Sequence, residues 1–217
     1  MSLAIFDLDN TLLAGDSDYL WGRFLVEQGL VEGEAYEQKN ARFYQDYLMG
    51  NLDIHAFLAF QLRPLAEIPP GRLEALRNIY LREKIQTILL PRAQSLLDWH
   101  RERGDTLLII TATNRFITQP IAEILNVPHL IATEPERRNG RYTGRVEGIP
   151  SFREGKIARL NAWLRERGQE LEGSWFYSDS HNDIPLLERV DHPVAVDPDA
   201  TLTGIARRRG WPILTLR

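Results

Sequence analysis

Residues 3–11 read LAIFDLDNT, in which four apolar residues run directly into two aspartates that are two positions apart. The apolar run predicts a buried strand, and in an extended backbone positions i and i+2 point to the same side. Asp7 and Asp9 are therefore expected to project together from the carboxyl end of the strand, where open α/β sheets bind their ligands. Two such carboxylates repel each other unless a cation joins them, and Mg²⁺ prefers oxygen ligands of this kind. The segment predicts a metal-dependent enzyme that acts on phosphate.

The composition is that of one large domain, or of a core domain with an insertion: 217 residues, 43% hydrophobic and 26% charged. The absence of cysteine excludes disulfides, thiol catalysis and thiolate metal sites. A net charge of −4 argues against nucleic acid as the main partner. No apolar run approaches the roughly 18 residues of a membrane span, and no secretory signal pattern is visible. We expect a cytoplasmic protein without a membrane partner, and the oligomeric state stays open.

Residues 17–88 carry helix signals throughout, with glycine or proline residues between the segments. Asp16 or Ser17 can cap the first helix, and Gly29 can end it. The predicted helices cover about 17–28, 33–49, 53–62 (before Pro64) and 70–87. Four helices in succession, with no strand between them, predict an all-helical unit.

Helices and strands alternate from residue 91 onward. The predicted helices are 92–103, 115–125, 154–167, 183–189 and 199–209, and the predicted strands are 106–110, 129–132, 174–178, 193–196 and 212–216. Asn139-Gly140 lies between two extended pieces and is a strong hairpin signal. Short apolar strands that alternate with helices predict an α/β fold with a doubly wound, mostly parallel sheet, covered by helices on both faces.

The expected division of the chain is an α/β core, residues 1–15 and 89–217, with an inserted helical cap, residues 16–88. Because the cap follows the first strand directly, we expect it to lie over the sheet edge that carries Asp7 and Asp9. A cap in that place can bind the substrate and exclude water from it.

Three further polar features lie at or near predicted element ends. Thr111 follows the strand TLLII, Lys156 lies at the start of a helix, and the segment DSHND at 179–183 follows the strand SWFYS. Each has an ordinary explanation by itself, since Thr111 could cap a helix and Lys156 could be a solvated lysine. Together with the first segment, in this order and at this spacing, they are far more specific.

The four features resemble the motifs of the haloacid dehalogenase superfamily of aspartate-nucleophile phosphatases. The resemblance covers the whole chain, and its most specific part is the D-x-D-x-T segment at 7–11 combined with the late D-x-x-x-D segment at 179–183. A helical cap between the first and second motifs is similar to the phosphoserine-phosphatase-like branch of that superfamily.

The resemblance implies a role for each aspartate. Asp7 would be the nucleophile, and it would form an aspartyl-phosphate that divides one difficult displacement into two. Asp9 would protonate the leaving alcohol and later deprotonate the attacking water. Mg²⁺ would be held by the Asp7 carboxylate, the Asp9 main-chain carbonyl and the Asp179 carboxylate. Since a dehalogenase-type relative needs no second carboxylate, Asp9 favours phosphoryl transfer.

The resemblance also implies residues that bind the phosphate. The Thr111 hydroxyl, the Lys156 ammonium and nearby main-chain N–H groups such as that of Ala112 would hold the transferring phosphoryl oxygens. Asp183 would orient a metal-bound water or Lys156. Asn182 would support the same loop and the bound substrate.

Two motifs depart from the phosphoserine phosphatase pattern. The usual Ser-Gly-Gly after the second strand is Thr111-Ala112-Thr113 here, and the usual Gly-Asp-Gly-x-Asn-Asp is Ser178-Asp179-Ser180-His181-Asn182-Asp183. Both changes leave the aspartates of the motifs in place, but the backbone around the phosphate is expected to differ. Phosphoserine is therefore in doubt as the substrate.

The cap is expected to select the substrate. Asp16 matches the position at which phosphoserine phosphatases carry a glutamate near the substrate amino group, and Asp16 or Asp18 could pair with a substrate ammonium; helix capping is the alternative. An aromatic wall could come from Trp21, Phe43, Tyr44 and Tyr47. Arg42 and Arg63 could bind a carboxylate if they face the site.

The segments TATNRF at 111–116 and DSDYLW at 16–21 resemble a bacterial subgroup in which some members hydrolyse histidinol phosphate. That substrate carries an ammonium and an imidazole but no carboxylate. We expect a small phosphorylated metabolite of this kind. The alternatives are phosphoserine, another small phosphate ester, transfer to an alcohol other than water, and a non-catalytic binding module.

Overall fold

The computed structural model describes residues 2–217, and in that range its strands form one seven-stranded sheet. The strands are β1 (Leu3–Phe6), β2 (Thr106–Asn114), β3 (His129–Arg138), β4 (Arg141–Glu147), β5 (Trp175–Ser178), β6 (His192–Val196) and β7 (Ile213–Leu214). They lie in the order β4-β3-β2-β1-β5-β6-β7, and every neighbouring pair is parallel except β3 with β4. The predicted α/β class with a mostly parallel sheet is confirmed.

Nine α-helices lie within residues 2–217, and four of them follow β1 without an intervening strand. They are α1 (Ser17–Glu27), α2 (Gly33–Leu48), α3 (Ile54–Glu67), α4 (Pro70–Tyr80), α5 (Pro91–Glu102), α6 (Arg115–Ile124), α7 (Glu154–Arg167), α8 (Ile184–Leu187) and α9 (Ala200–Arg209). None of these helices is both long and apolar enough to cross a bilayer. The bounds of α7 coincide with the predicted helix 154–167.

The central strand β1 is buried on both of its faces. Ala4 and Phe6 belong to one hydrophobic cluster, whereas Leu3 and Ile5 belong to the other. Since successive side chains of a strand point to opposite faces, the two clusters cover opposite sides of the sheet. This explains why the sequence of β1 is a continuous apolar run rather than an alternating one.

The helices α1 and α4 are joined by an aromatic cluster. The Trp21 ring lies 5.6 Å from Phe24 and 5.2 Å from Tyr80, measured between centroids. The Tyr80 hydroxyl donates a hydrogen bond of 2.7 Å to the Ser17 carbonyl and so ties α4 to the start of α1. The division into a core and a cap of residues 16–88 stays a prediction, and Met1 of the predicted core lies outside the described residues.

The predicted hairpin at Asn139-Gly140 is confirmed, and it connects β3 to β4. Both residues have positive φ, 49° and 77°, as a tight two-residue turn between Arg138 and Arg141 requires. The hairpin packs against α3, where a Cβ at Gly144 would lie 3.5 Å from the Ala66 Cβ. The hairpin therefore connects the sheet directly to one of the inserted helices.

Two predicted helix ends were wrong because packing outweighs local sequence signals. The third helix was expected to end before Pro64, but α3 continues to Glu67 with Pro64 inside it. Leu65 and Pro64 are both buried there, so apolar burial offsets the hydrogen bond that proline cannot make. The fourth helix leaves α geometry after Tyr80 and passes through a π turn and a 3-10 turn that ends at Ile88.

The second strand is longer than predicted. It was expected to end at Ile110, but β2 runs on to Asn114, with a shift in its pairing to β3 between these two residues. The Thr133 hydroxyl donates to the Ala112 carbonyl at 2.7 Å and holds the extension in place. The residues after Thr111 are therefore rigid sheet backbone instead of a free loop.

A buried polar network lies under the sheet edge. The His100 side chain is fully buried, with Nδ1 2.9 Å from Asp105 Oδ2 and Nε2 2.8 Å from the Tyr177 hydroxyl. Burial lowers the pKa of His100 below its usual value, although Asp105 opposes the shift. The Tyr177 ring stacks on the Phe6 ring, with their centroids 5.0 Å apart. The network therefore supports β1 and β5 close to their carboxyl ends.

We expect wild-type protein to lose unfolding free energy relative to His100→Gln as the pH falls below about 6.5, because the unfolded chain then binds a proton that folded His100 resists. Urea unfolding at about pH 7.5 and about pH 5.5 measures this difference. His192→Gln, at an exposed position, is the control. A stability difference that does not change with pH would contradict the prediction.

Candidate active site

The candidate site lies at the carboxyl ends of the three central strands. Because β2, β1 and β5 are neighbours and parallel, the residues that follow them meet at one edge of the sheet. Asp7 follows β1, Thr111 lies near the end of β2, and Asp179 follows β5. The Asp7 amide donates to the Tyr177 carbonyl at 2.9 Å, which fixes the start of the first motif against β5.

Asp7 is a buried carboxylate that contacts a buried ammonium. The side chain of Asp7 is 5% exposed, and its Oδ1 lies 2.8 Å from Lys156 Nζ. Burial raises the pKa of the Asp7 carboxyl to about 7, while Lys156 lowers it and Asp183 raises it. A further positive charge near Asp7 would favour the ionised form, which is the form that can act as a nucleophile.

Lys156 bridges two carboxylates. Its Nζ donates to Asp7 Oδ1 and to Asp183 Oδ2, each at 2.8 Å. Asp183 Oδ2 also accepts the Ser178 hydroxyl at 2.7 Å. Burial works to lower the pKa of Lys156, but the charges of Asp183 and Asp7 outweigh it and raise that pKa, so the lysine remains an ammonium. Asp183 therefore positions Lys156 towards Asp7.

Asp9 points towards the second motif and the start of α1. Its Oδ1 accepts the Ser17 amide at 2.6 Å, and its Oδ2 accepts the Thr113 hydroxyl at 2.8 Å and the Thr111 hydroxyl at 3.4 Å. Burial raises the pKa of Asp9, although the hydrogen bonds from Ser17 and Thr113 oppose the shift. A raised pKa suits a carboxyl group that must carry a proton near neutral pH.

Thr113 is a contact of the site that the sequence motifs did not single out. It lies two residues beyond Thr111 on the extended part of β2, so both side chains reach the same face. The Thr113 amide also donates to the Thr111 hydroxyl oxygen at 3.1 Å. The i, i+2 spacing of two threonines after an apolar strand was the signal that could have identified it.

Asp179 faces Asp7 across Thr11. The Thr11 Oγ1 lies 3.4 Å from Asp7 Oδ2 and 3.2 Å from Asp179 Oδ1, and it accepts the Asp179 amide at 3.1 Å. Burial, and then the charge of Asp7, raise the pKa of Asp179 well above its usual range. In the part of the chain that the structure describes, Asp179 has no ion-pair partner. Asp179 is therefore a carboxyl group whose ionised form a nearby cation would stabilise.

Within residues 2–217, no three acidic or imidazole side chains converge as a metal centre. The predicted magnesium ligands do not include a third side chain, because they are the carboxylates of Asp7 and Asp179 and the main-chain carbonyl of Asp9. The oxygen donors of Asp7 and Asp179, on either side of one hydroxyl, have the chemistry that a hard divalent cation prefers. The donor set is compatible with Mg²⁺.

A cavity lies between this sheet edge and the helices α1 to α3. At one end it is lined by Asp7, Asp9 and Lys156. Towards the helices it is lined by Asp16 and Asp18, and by aromatic side chains that comprise Tyr19, Phe43, Tyr44, Tyr47, Phe57 and Phe152. The cavity is therefore acidic and aromatic, and of its described lining residues Lys156 alone is cationic.

The aromatic wall differs from the prediction at one position. Trp21 is 1% exposed and packs on Phe24, Tyr80 and Phe116, so it belongs to the core and does not line the cavity. A tryptophan on the buried face of an amphipathic helix has no sequence signal that separates these two roles. Arg42 and Arg63 are exposed and also lie outside the cavity lining.

Asp16 both caps α1 and lines the cavity. Its Oδ1 accepts the Tyr19 amide at 2.8 Å, which is the predicted capping contact. Burial, and then the charge of Asp9, raise the pKa of Asp16 to about 7. The capping contact engages one carboxylate oxygen, so the second oxygen is available to a ligand in the cavity.

Asn182 and Arg153 connect the core loops to the tip between α2 and α3. Arg153 Nη2 donates to the Gly50 carbonyl at 2.5 Å and to Asn182 Oδ1 at 2.8 Å. Asn182 Nδ2 donates to the Tyr47 carbonyl at 3.2 Å. Gly50 has φ of 72°, and a Cβ there would lie 2.6 Å from His181 Nε2, so only glycine fits. Asn182 thus holds the end of α2 and its connection to α3, called the cap tip below (residues 47–53), and it also lines the cavity.

Arg153 precedes α7 with a positive φ of 48°, a strained conformation for a residue with a side chain. Sequence reasoning missed this residue because its partners are more than 25 positions away in the chain. Its contacts place the cap tip and the helix that carries Lys156 in one hydrogen-bonded unit.

We expect Arg153→Ala to release the cap tip, so that the amides of Gly50 and Asn51 exchange with solvent at least about tenfold faster. Hydrogen exchange of peptides that span residues 47–54 measures the effect. Arg165→Ala, at an exposed position on α7, is the matched control. Equal exchange in the wild type and both variants would contradict the role of Arg153.

The sequence is similar to known proteins over its whole length. The family described as haloacid dehalogenase-like hydrolase matches residues 4–188. A histidinol-phosphatase of Neisseria meningitidis serogroup C (strain 8013) is 45% identical over 220 residues, which cover 100% of this chain and 99% of that protein.

Two solved structures resemble the fold. The crystal structure of a protein of unknown function from Bordetella pertussis Tohama I has a TM-score of 0.94 and 44% identity, covering 100% of this chain and 99% of the other. A phospho-aspartyl intermediate analogue of phosphoserine phosphatase has a TM-score of 0.73 over 100% and 93% of the two chains, but only 18% identity, and so shows the fold alone. The family match confirms the resemblance inferred from the motifs: this chain is an enzyme that belongs to the haloacid dehalogenase-like hydrolase family.

Proposed function

We propose that this enzyme hydrolyses L-histidinol phosphate to L-histidinol and phosphate, and so acts in histidine biosynthesis. The observation that carries the proposal is the cavity, which combines two aspartates near the start of α1 with an aromatic lining. Histidinol phosphate offers an ammonium to the aspartates and a flat imidazole to the rings. The full-length similarity to a histidinol-phosphatase supports the same substrate.

Asp7 is proposed as the nucleophile. Its carboxylate oxygen attacks phosphorus and displaces the alcohol oxygen, which leaves an aspartyl-phosphate on Asp7. Water then attacks the same phosphorus and releases phosphate, and the Asp7 carboxylate is restored. The rigid connection of Asp7 to β5 through the Tyr177 carbonyl supports this role, because the attacking oxygen must be held in line with the leaving oxygen.

Asp9 is proposed as the general acid and base. In the first step its proton goes to the leaving alcohol oxygen, and in the second step the ionised Asp9 takes a proton from the attacking water. The raised pKa of Asp9 supports the protonated form at the start of the cycle. The Thr113 hydroxyl holds the carboxyl group in place for both proton transfers.

The phosphoryl oxygens are proposed to bind Lys156, the Thr111 hydroxyl and the main-chain amide of Ala112. These groups line the same end of the cavity as Asp7. The Lys156 ammonium is kept charged by Asp183 and Asp7, so it can stabilise the charge that develops on the phosphoryl group. Asn182 lines the cavity beside them.

Mg²⁺ is proposed as the cofactor, held by the carboxylates of Asp7 and Asp179 and by the Asp9 carbonyl. When bound, it supplies positive charge that lowers the pKa of Asp7 and offsets the negative charge of the phosphate. The position of Asp179 across Thr11 from Asp7, without an ion-pair partner in the described chain, supports this assignment.

Phosphoserine is the alternative substrate that the family resemblance offers. Its carboxylate requires a cationic partner, and the one cation in the described lining, Lys156, already contacts Asp7 and Asp183. Arg42 and Arg63, which could have filled this role, lie outside the cavity lining. These observations favour the substrate without a carboxylate.

The substrate proposal predicts that kcat/KM for histidinol phosphate exceeds that for phosphoserine and p-nitrophenyl phosphate by about a hundredfold, because only histidinol phosphate offers both an ammonium to the aspartates and a flat ring to the aromatic side chains. Release of inorganic phosphate in the presence of Mg²⁺ is the measurement. Asp7→Asn should lose at least about a thousandfold in kcat, because an amide cannot form the acyl-phosphate. Asp7→Asn therefore serves as the inactive control in the phosphate-release assay.

Two outcomes would overturn different parts of the proposal. A flat and weak profile over the phosphate esters would leave the mechanism in place and remove histidinol phosphate as the substrate. Turnover by Asp7→Asn within tenfold of the wild type would remove Asp7 as the nucleophile. Transfer of the phosphoryl group to added glycerol, in preference to water, would reassign the enzyme as a phosphotransferase.

The cofactor proposal predicts that EDTA abolishes phosphate release and that added Mg²⁺ restores it. Mg²⁺ should also stabilise the folded protein by about 2.7 kcal/mol when its concentration is about a hundred times Kd. Thermal unfolding with and without Mg²⁺ measures this effect, and Asp179→Asn should remove most of it. Full activity in excess chelator would contradict a role for the metal.

A further inference from the structure

A second acidic group, Asp18, lies in the cavity besides Asp16, and none of the proposed chemical steps uses it. Asp18 is 3% exposed, and it lines the cavity together with Asn40. Its Oδ1 accepts a hydrogen bond from Asn114 Nδ2 at 3.3 Å, but its Oδ2 is buried and has no hydrogen-bond partner among residues 2–217. A buried, unpartnered carboxyl oxygen is unfavourable, and a donor on a bound ligand would satisfy it.

The surroundings of Asp18 provide no compensating charge. In the described part of the chain it forms no ion pair, and the polar side chains packed around it are the neutral amides of Asn40, Gln61 and Asn114. Gln61 Nε2 donates to the main-chain carbonyl of Asp18 and to Asn40 Oδ1. This amide group is therefore held in place and does not donate to Asp18 Oδ2. The site is therefore rigid and acidic.

Asp16 and Asp18 lie on either side of Ser17, whose amide donates to Asp9 Oδ1 at 2.6 Å. Asp16 caps α1 through the Tyr19 amide, whereas Asp18 contacts Asn114, the last residue of β2. The segment that carries both aspartates is therefore joined directly to Asp9. An amino-alcohol phosphate with a basic ring has two basic groups that can meet these two carboxyl groups.

We propose that Asp18 is a specificity-determining residue that accepts the N–H of a protonated imidazole ring of the substrate, while Asp16 accepts the ammonium. This inference rests on the proposed function and deepens it. The stacked rings of Tyr19 and Tyr44, whose centroids are 4.9 Å apart, line the same cavity and offer a flat apolar surface to the ring. A substrate with one basic nitrogen would leave Asp18 unpaired, so the pocket selects substrates with two.

The test compares wild type with Asp18→Asn on three phosphate esters: histidinol phosphate, phosphoethanolamine, which has an ammonium but no ring, and p-nitrophenyl phosphate, which has a ring but no basic nitrogen. We expect kcat/KM for histidinol phosphate to fall about 30-fold or more, mainly through KM. The other two should change by less than about threefold. Asp53→Asn, at an exposed helix cap outside the cavity, is the matched control.

Histamine separates this inference from the substrate proposal, because it carries the ammonium and the ring without a phosphate. It should inhibit p-nitrophenyl phosphate hydrolysis by the wild type and at least about tenfold more weakly in Asp18→Asn. A second outcome is that the wild type shows no preference for histidinol phosphate while histamine still inhibits it more strongly than Asp18→Asn. That result would support ring binding at Asp18 and would remove histidinol phosphate as the substrate. Equal inhibition of both proteins would overturn the ring site.

Thermal unfolding distinguishes a binding role from a structural one. Asp18→Asn keeps the shape of the side chain and the hydrogen bond from Asn114 but removes a buried charge. The ligand-free variant should therefore be as stable as the wild type, or more stable. A lower Tm together with an equal loss of activity on all three esters would show that Asp18 acts only in folding, and would overturn the inference.

Discussion

The structure depends on the contact between one buried ammonium and the carboxylates around it. Lys156 contacts Asp7 and Asp183 at the end of the central strands, while Asp9 and Asp179 lie close by without a cation of their own. Negative charge exceeds positive charge at this edge, and burial strengthens the repulsion. The Lys156 contacts offset part of this repulsion, and the proposed cation would supply the positive charge that the site still lacks.

The sequence predicted the fold class because β1 and the other central strands are continuous apolar runs between helical segments. The same local signals failed where distant packing decides the outcome. Pro64 did not end α3, since the helix gains more from burying Leu65 than it loses at the proline. The extension of β2 beyond Ile110 depends on a hydrogen bond from Thr133, which no local pattern in β2 can reveal.

The site was predictable to the extent that its residues follow strand ends. The sequence predicted that Asp7, Thr111 and Asp179 lie close together, because the carboxyl ends of parallel strands meet at one edge of the sheet. The sequence left open whether Trp21 lines the cavity or packs in the core, because its surroundings are formed by side chains from distant segments. Arg153 was missed since neither its partners nor its backbone conformation has a signature in a single sequence.

The connection between the cap tip and the core uses main-chain atoms on the cap side. Arg153 and Asn182 contact the carbonyls of Gly50 and Tyr47, not their side chains. The docking contact therefore does not depend on which side chains the tip carries, whereas the Tyr47 ring packs against Phe152 and lines the cavity. During evolution, substitutions of cavity-facing side chains can alter what the cavity binds while the main-chain contacts to Arg153 and Asn182 persist.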